Sequence, residues 1–266
     1  MVKKLTSTIY IPIHVSKKRG KFDLFKTIMD EIYSNTKKLE DGDIIVLSSK
    51  FVALSEGRIV KIQDVIPSLE AKDFASKLHL QISMAELILR ESEVVLGGVP
   101  GIALSVKYGI FTPNAGIDRS NVKAGWAILY PRMPFKKAEI LRRRILLETS
   151  RKVGIVITDS RLLPSRSGTS GIAIGVAGFD PIKDERGKKD LFNNVLKVTR
   201  RSLADDISAG AQLIMGEADE RIPIVIVRNT GIKLHDKIVD EEQMTIDYDE
   251  CIYVRGLLKL NSQGKN

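Results

Sequence analysis

The chain has 266 residues, a formal net charge of +9, and 43% hydrophobic against 28% charged residues. This balance excludes a disordered chain and allows one large domain or two smaller ones. No apolar run approaches the ~20 residues of a membrane helix, and the N-terminus lacks the apolar stretch of a signal peptide. We therefore expect a cytoplasmic protein with no membrane partner. Cys251 is the only cysteine, which excludes an intrachain disulfide and a thiolate metal cluster.

The positive charge favours anionic partners, such as nucleotides, phosphorylated cofactors or nucleic acid. Basic runs occur at residues 17–19, 142–144 and 200–201. They lie on or beside helical patterns, and few aromatic residues lie among them to stack bases. We interpret these runs as solvated helix faces and do not expect nucleic acid as a partner.

Helices and strands alternate through the first part of the chain. Residues 22–39 place apolar side chains at spacings of three and four, which predicts an amphipathic helix. The next predicted elements are strands over 43–52 and 58–62, a helix over 68–91, strands over 94–96 and 102–111, and a basic helix over 135–149.

A second series of elements begins near residue 153. The β-branched run 153–158 predicts a strand that ends on Asp159, and 222–228 predicts another strand. Ser202 and Asp205 resemble a capping box, and the helix that they open is expected to end at Gly216. The order of elements predicts a mixed α+β (α/β) fold, one catalytic unit over 1–266 with approximate sub-parts 1–150 and 151–266.

Residues 167–178 are rich in glycine and other small residues. One interpretation is that these glycines let the backbone pack closely against a neighbouring element. The alternative is a flexible wall of a nucleotide or acceptor site. We favour close packing, because the glycine spacing does not fit a dinucleotide-binding loop.

Acidic residues in three short motifs carry the main functional signal. Asp118 follows the turn-forming residues 114–116, Asp159 ends an apolar run, and Glu217 lies just past a helix end. A charged carboxylate beside a buried strand is costly unless it is paired or metal-bound, so Asp159 is the best single candidate. Each of the other acids alone could belong to an ordinary turn or a solvated surface. Together they predict a site for a divalent cation that bridges to substrate phosphates.

Five motifs, taken in order, resemble the γ-glutamyl ligases of the coenzyme F420-0:L-glutamate ligase family. They are residues 11–14, 55–58, 114–121, 158–160 and 215–223. The resemblance implies an enzyme that couples GTP cleavage to amide formation between an acceptor carboxylate and L-glutamate, through an acyl phosphate. It also implies Mn²⁺ or Mg²⁺, allows a monovalent cation, and suggests a homodimer of two-part subunits.

The same resemblance assigns roles to individual residues. Asp118, Asp159 and Glu217 would be the catalytic carboxylates, and with Ser160 they would hold the metals. The residues implied at the nucleotide site are Ile11, Pro12, Ile13, His14, Ser49, Lys50, Asn121, Met215, Gly216, Ala218, Asp219, Glu220, Arg221 and Ile222. We expect an acceptor pocket around residues 161–166, with Arg161 and Arg166 as its substrate-binding residues.

The residues after Asp159 depart from the family pattern. Typical members have Asp-Ser/Thr-Phe-Gly-Arg-Pro-Trp/Phe-Arg, whereas this chain has Asp-Ser-Arg-Leu-Leu-Pro-Ser-Arg over 159–166. Leu54 also stands where a lysine is expected. Such variants resemble a folate-linked branch, so the acceptor is either coenzyme F420-0 or a reduced folate or pterin. A non-catalytic binder of phosphorylated cofactor or nucleic acid is the alternative from another class.

Overall fold

The computed structural model describes residues 7–18, 20–35 and 38–256. Its strands are β1 (Ile9–Ile13), β2 (Ile44–Ser48), β3 (Ile59–Lys61), β4 (Val94–Val99), β5 (Ile102–Lys107), β6 (Ile110–Pro113), β7 (Trp126–Ile128), β8 (Gly154–Leu162), β9 (Thr169–Ala177), β10 (Ile182–Asp184), β11 (Arg200–Ser202) and β12 (Ile224–Arg228). Its helices are α1 (Leu24–Asn35), α2 (Ser49–Ser55), α3 (Leu69–Leu78), α4 (Ile82–Glu91), α5 (Pro134–Thr149) and α6 (Leu203–Met215). None of the helices described combines the length and apolar character that crossing a membrane requires.

A five-stranded mixed sheet with strand order β1-β12-β2-β8-β9 lies at the centre of the molecule. β2 and β8 run parallel, and the other neighbours are antiparallel. Smaller sheets comprise β4-β5-β6, β3-β7 and β10-β11. This architecture confirms the predicted mixed α+β fold. The division near residue 150 stays a prediction, and the central sheet takes strands from both sides of it.

The central sheet is covered by helices on both faces. Ile45 and Leu47 of β2 belong to the same apolar cluster as buried residues of α1 and α5. Ile44 and Val46 point the other way and pack with residues of α6. All four side chains are fully buried, which contributes about 1.5–3 kcal/mol each relative to exposure. The continuous apolar run in β2 is therefore explained by helices on both sides of the sheet.

Parallel pairing of β2 with β8 determines where the polar residues after the two strands lie. In this register Ser48 lies opposite Thr158. Both strands run in the same direction, so their following residues emerge at the same edge of the sheet. Ser49 and Asp159 are thereby brought together.

Two glycines of β9 allow neighbouring helices to approach its backbone. A Cβ atom at Gly171 would lie 2.4 Å from the Ser208 carbonyl oxygen of α6. A Cβ atom at Gly175 would lie 2.6 Å from the backbone of Pro134, the first residue of α5. Both distances are too short for any side chain, so the close-packing interpretation of residues 167–178 is confirmed. The strand formed by these residues had not been predicted.

Several predicted boundaries were wrong because single residues interrupt a regular pattern. The strand over 43–52 ends at Ser48, whose hydroxyl caps α2 by accepting from the Phe51 N–H. The helix over 68–91 is divided at His79, which is left-handed with φ of 52°. The strand over 102–111 turns back at Tyr108, which also has positive φ. The strand of residues 153–158 continues past Asp159 to Leu162.

The remaining helices agree with the sequence pattern. α1 and α5 lie within one or two residues of the predicted starts, although residues 36 and 37 of the first prediction fall outside the described chain. Ser202 caps α6 through the N–H of Asp205, and Gly216 follows its last turn, as predicted. The basic run on α5 is not wholly solvated, because Arg142 is buried between Glu139 and Asp236.

Glu86, a buried carboxylate on α4, connects α4 to the start of α3. Its Oε2 atom accepts hydrogen bonds from the backbone N–H and the hydroxyl of Ser68, each at 2.7 Å. Its Oε1 atom accepts from Arg90 Nε. These hydrogen bonds, the backbone one foremost, hold the pKa of Glu86 at about 2 against an ordinary value of 4.5.

We expect Glu86 to stabilise the fold only where it is charged. Its folded-state pKa is lowered, so its stabilisation is present above about pH 4.5 and is lost as the pH falls towards about 2. Glu86→Gln should lower the melting temperature at neutral pH, and its difference from wild type should shrink at about pH 3. Thermal unfolding followed by circular dichroism measures this. Asp73→Asn, in an exposed pair with Lys77, is the control. A pH-independent effect of Glu86→Gln would contradict the prediction.

Candidate active site

A cavity of about 360 Å³ opens where the ends of β2 and β8 meet the C-terminal end of α6. We call it the first cavity. It is lined by most residues that the resemblance implied for nucleotide or metal binding. Those residues are Ser49, Lys50, Asn121, Asp159, Ser160, Met215, Gly216, Glu217, Ala218, Asp219, Glu220, Arg221 and Ile222. Segments far apart in sequence are therefore brought to one place.

Asp159 is held by a hydrogen bond to one carboxylate oxygen and an ion pair at the other. The hydroxyl of Ser49, the first residue of α2, donates to Asp159 Oδ1 at 2.5 Å. Arg161 Nη2 lies 3.2 Å from Asp159 Oδ2. The carboxylate is mostly buried but faces the first cavity, so its charge is compensated while it remains accessible to a ligand.

Lys50 connects the first cavity to Asp118, which does not itself line it. Lys50 Nζ lies 2.7 Å from Asp118 Oδ2 and donates to Ser120 Oγ at 2.8 Å. The Ser120 N–H donates to Asp118 Oδ1 at 2.6 Å. Burial acts to raise the pKa of Asp118, but the hydrogen bonds from Lys50 and Ser120 outweigh it and hold that pKa below its ordinary value. Asp118 is therefore a charged partner that orients Lys50.

Glu217 lies in the loop after α6 and lines the first cavity. Its Oε1 atom accepts from Gln212 Nε2 at 2.7 Å and from Thr169 Oγ1 at 3.2 Å. The same loop is fastened to the Asp118 motif, because Asn121 Nδ2 donates to the Ala218 carbonyl at 3.0 Å. Two of the predicted motifs thus contact one another directly.

The residues at the end of β1 lie differently from the prediction. Ile13 is buried in the core, His14 is exposed, and none of Ile11, Pro12, Ile13 and His14 lines the first cavity. The next four residues do, including Lys17 and Lys18. These two lysines belong to a loop, so their interpretation as a solvated helix face was wrong. Arg19 of the same run lies outside the described residues.

The two predicted acceptor residues are not together. Arg161 is buried, and its Nη2 atom donates to the hydroxyl of Tyr130. Burial raises the pKa of Tyr130, so its hydroxyl stays protonated. Arg166 is exposed in the loop between β8 and β9 and does not line the first cavity. The sequence did not identify Tyr130, Gln212 and Thr169 as site residues. They are recognisable only by their hydrogen bonds to Arg161 and Glu217 in the folded chain.

The oxygen atoms around the first cavity fit a hard divalent cation. Asp159 and Ser160 supply them from β8, and Glu217 supplies them from the loop after α6. Within the described residues no three His, Cys, Asp or Glu side chains cluster as a metal site. Mg²⁺ needs only one or two carboxylates when water and substrate phosphates complete its coordination.

Charges of both signs line the first cavity. Its basic residues are Lys17, Lys18, Lys50 and Arg221, and its acidic residues are Asp159, Glu217, Asp219 and Glu220. Such a mixed lining suits an anionic ligand accompanied by a cation, because neither charge then remains uncompensated.

Comparison with known proteins identifies the family. The family model described as F420-0:Gamma-glutamyl ligase matches residues 13–229. The chain belongs to this family. It is accordingly a ligase that forms a carbon–nitrogen bond, and the resemblance seen in the sequence is confirmed.

Individual members of the F420-0:gamma-glutamyl ligase family are similar over most of their length. The coenzyme F420:L-glutamate ligase of Archaeoglobus fulgidus is 41% identical over 202 residues, which cover 76% of this chain and 81% of the relative. The enzyme of the same name from Methanothermobacter thermautotrophicus is 39% identical over 207 residues, which cover 77% of this chain and 82% of the relative. That of Methanocaldococcus jannaschii is 40% identical over 195 residues, covering 73% and 78%.

Replacing Lys50 tests the ion pair between Lys50 and Asp118 without a measurement of ligase activity. In Lys50→Gln the Asp118 carboxylate loses its cationic partner, so its pKa should rise towards the ordinary value. Carboxyl-carbon NMR titration of Asp118 in wild type and variant measures the shift. Lys77→Gln, whose only described partner on the surface is Asp73, is the matched control and should leave Asp118 unchanged. Equal Asp118 titrations in wild type and Lys50→Gln would refute the contact.

Proposed function

We propose that this protein is a GTP- and divalent-metal-dependent γ-glutamyl ligase. It would join the amino group of L-glutamate to a carboxylate of coenzyme F420-0. The description of the family names F420-0, and the names of the relatives, which are coenzyme F420:L-glutamate ligases, agree with an acceptor of this kind. The observation that carries the proposal is the first cavity, where Lys50, Asp159 and the loop after α6 meet.

The chemistry explains why such a site needs both phosphate and metal binding. A carboxylate is a poor acyl donor because its leaving group would be oxide. Transfer of the γ-phosphoryl group of GTP to the acceptor carboxylate releases GDP and creates a phosphate leaving group. The amine of L-glutamate then attacks the acyl carbon, loses a proton and displaces phosphate. Divalent metal ions supply charge neutralisation at the transferring phosphoryl group.

The residues of the first cavity have distinct roles in this proposal. Lys17, Lys18 and Lys50 would bind phosphate oxygens, with Asp118 orienting Lys50. Asp159 and Glu217 would hold metal, together with the Ser160 hydroxyl. The backbone of residues 215–222 would form the wall against the nucleotide. Positioning and electrostatics would then supply most of the rate.

A reduced folate or pterin is the second candidate acceptor. The residues after Asp159 favour it, because they differ from those of typical coenzyme F420-0 ligases at 161–163 and 165. The two candidates share the chemistry of the first cavity and differ only in acceptor recognition.

Product analysis with a variant of Asp159 tests the proposed ligase. Purified wild type, incubated with GTP, Mn²⁺, L-glutamate and each acceptor, should yield a product heavier by one glutamyl unit on mass spectrometry. Asp159→Asn should reduce kcat by about 10²-fold or more, because the variant removes a charge that would hold the metal. Asp73→Asn removes an exposed carboxylate remote from the first cavity and should leave kcat unchanged.

The outcomes separate the alternatives. No glutamyl product on either acceptor would overturn the ligase assignment and leave the non-catalytic binder. A fully active Asp159→Asn would overturn the metal assignment alone. GTP binding that survives in Asp159→Asn without turnover would show that the substitution left the nucleotide site folded.

We also propose that the protein is a homodimer. The three-stranded sheet β4-β5-β6 exposes Val99, Ile102 and Leu104, and the register places them near one another. A contiguous apolar sheet face of this kind is typical of a subunit interface. The self-complementary partner of such a face is a second copy of the chain.

A charge placed on this face should separate the subunits. Val99 is 58% exposed in the single chain, so Val99→Glu should fold normally but bury an unpaired carboxylate in the dimer. Light scattering after gel filtration should give the mass of two chains for wild type and of one chain for the variant. Leu147→Glu, on the exposed face of α5, is the control and should remain dimeric. A wild-type mass of one chain would exclude the proposal.

A further inference from the structure

A second cavity, of about 280 Å³, lies beside the candidate active site. Arg161 and neighbouring residues of β8 form one side, and Phe111 of β6 lies on another. Its remaining wall is formed by residues within 241–253, which we call the C-terminal wall. This wall lies beyond residues 13–229, the part that matches the family model. The second cavity therefore combines residues inside the matched part of the chain with residues outside it.

Aromatic and apolar side chains dominate the second cavity. The rings of Phe111 and Tyr248 are stacked, with centroids 5.9 Å apart and planes inclined by 20°. Tyr248 and Tyr253 remain 44% and 56% exposed, and Ile246 is exposed beside them. Flat apolar surface left in contact with water favours a flat apolar ligand that displaces that water.

Arg161 supplies a hydrogen-bond donor at the second cavity. Its side chain is only 3% exposed, and its Nε atom has no hydrogen-bond partner in the described structure. The Nη2 atom is occupied by Tyr130 and Asp159. A buried N–H without an acceptor is costly, so a ligand atom that accepts from Nε is favoured.

Two acids line the second cavity, Asp205 and Glu241, and hydrogen bonds already satisfy Asp205. Asp205 accepts hydrogen bonds from the Ala173 N–H at 2.8 Å and from the Ser202 hydroxyl at 2.7 Å. Asp159 already compensates the charge of Arg161. The open position therefore suits a neutral acceptor atom, such as a carbonyl oxygen or ring nitrogen, more than a second anion.

We infer that the second cavity binds the fused heteroaromatic ring of the acceptor substrate. The ring would lie against Tyr248, with a carbonyl oxygen or ring nitrogen accepting from Arg161 Nε. A volume near 280 Å³ lies at the lower end of ligand sites, which fits a ring system and leaves the rest of the molecule outside. This inference rests on the proposed ligase function for the identity of the ligand.

The position of Arg161 connects the two cavities. Arg161 and Asp159 lie two residues apart on the same face of β8, a separation of about 6.6 Å along the strand. Asp159 lines the first cavity, and Arg161 lines the second. A ring held in the second cavity can therefore extend its carboxylate-bearing tail towards the first, where phosphoryl transfer is proposed.

Equilibrium binding without GTP tests the second cavity independently of turnover. The probes are riboflavin, which presents a fused ring without a carboxylate tail, coenzyme F420-0 and folic acid, each titrated by fluorescence. In Tyr248→Ala the probe that binds wild type should bind about tenfold more weakly, because a stacking wall is lost. Tyr33→Ala removes a ring of similar exposure on α1, away from the second cavity, and should bind as wild type does.

Steady-state kinetics then relate the second cavity to catalysis. Tyr248→Ala should raise KM for the acceptor about tenfold and leave KM for GTP unchanged. Probe binding that is weakened by Tyr248→Ala, in a protein that forms no glutamyl product, would support the ring site and overturn the ligase function. Glutamylation with an unchanged acceptor KM in Tyr248→Ala would overturn the ring site alone. Tighter binding of coenzyme F420-0 than of folic acid would indicate that the second cavity accepts a deazaflavin ring. Tighter binding of folic acid would indicate a pterin ring.

Discussion

The parallel pairing of β2 with β8 is the constraint on which the rest of the site depends. Its register places Ser48 opposite Thr158 and brings Ser49 within hydrogen-bond distance of Asp159. The pairing is maintained by apolar side chains on both faces of the sheet, between α6 on one side and α1 with α5 on the other. The most deeply buried part of the molecule thus determines the position of its most polar residues.

Charge compensation is distributed so that none of Asp159, Asp118 and Glu217 depends on a single partner. Asp159 has a hydroxyl and a guanidinium, Asp118 has an ammonium and a backbone N–H, and Glu217 has an amide and a hydroxyl. The neutral donors can remain bound to these carboxylates when a metal ion or a phosphate group displaces the charged partners. The carboxylates are therefore held in position before a ligand arrives, which lowers the cost of ordering them.

The order of elements was sufficient to predict the mixed fold, and the resemblance to the family named many of the residues that line the first cavity. The sequence did not predict that Lys17 and Lys18, in the loop after β1, line the first cavity. No local pattern in the sequence specifies the conformation of that loop. The sequence prediction joined β5 and β6 into one strand because positive φ at Tyr108 is not typical of an aromatic residue. The second cavity could not be predicted, since it depends on packing of residues 241–253 against distant β6.

The contacts that form the first cavity join residues far apart along the chain. Ser49 and Asp159 are 110 positions apart, and Asn121 and Ala218 are 97 apart. Closing such long loops costs entropy before any contact compensates it, so these pairs belong to the slow, cooperative part of folding. A nascent chain therefore lacks a binding-competent site until synthesis has passed α6. Any ligand of the first cavity acts on the completed fold alone and shifts the folding equilibrium towards it.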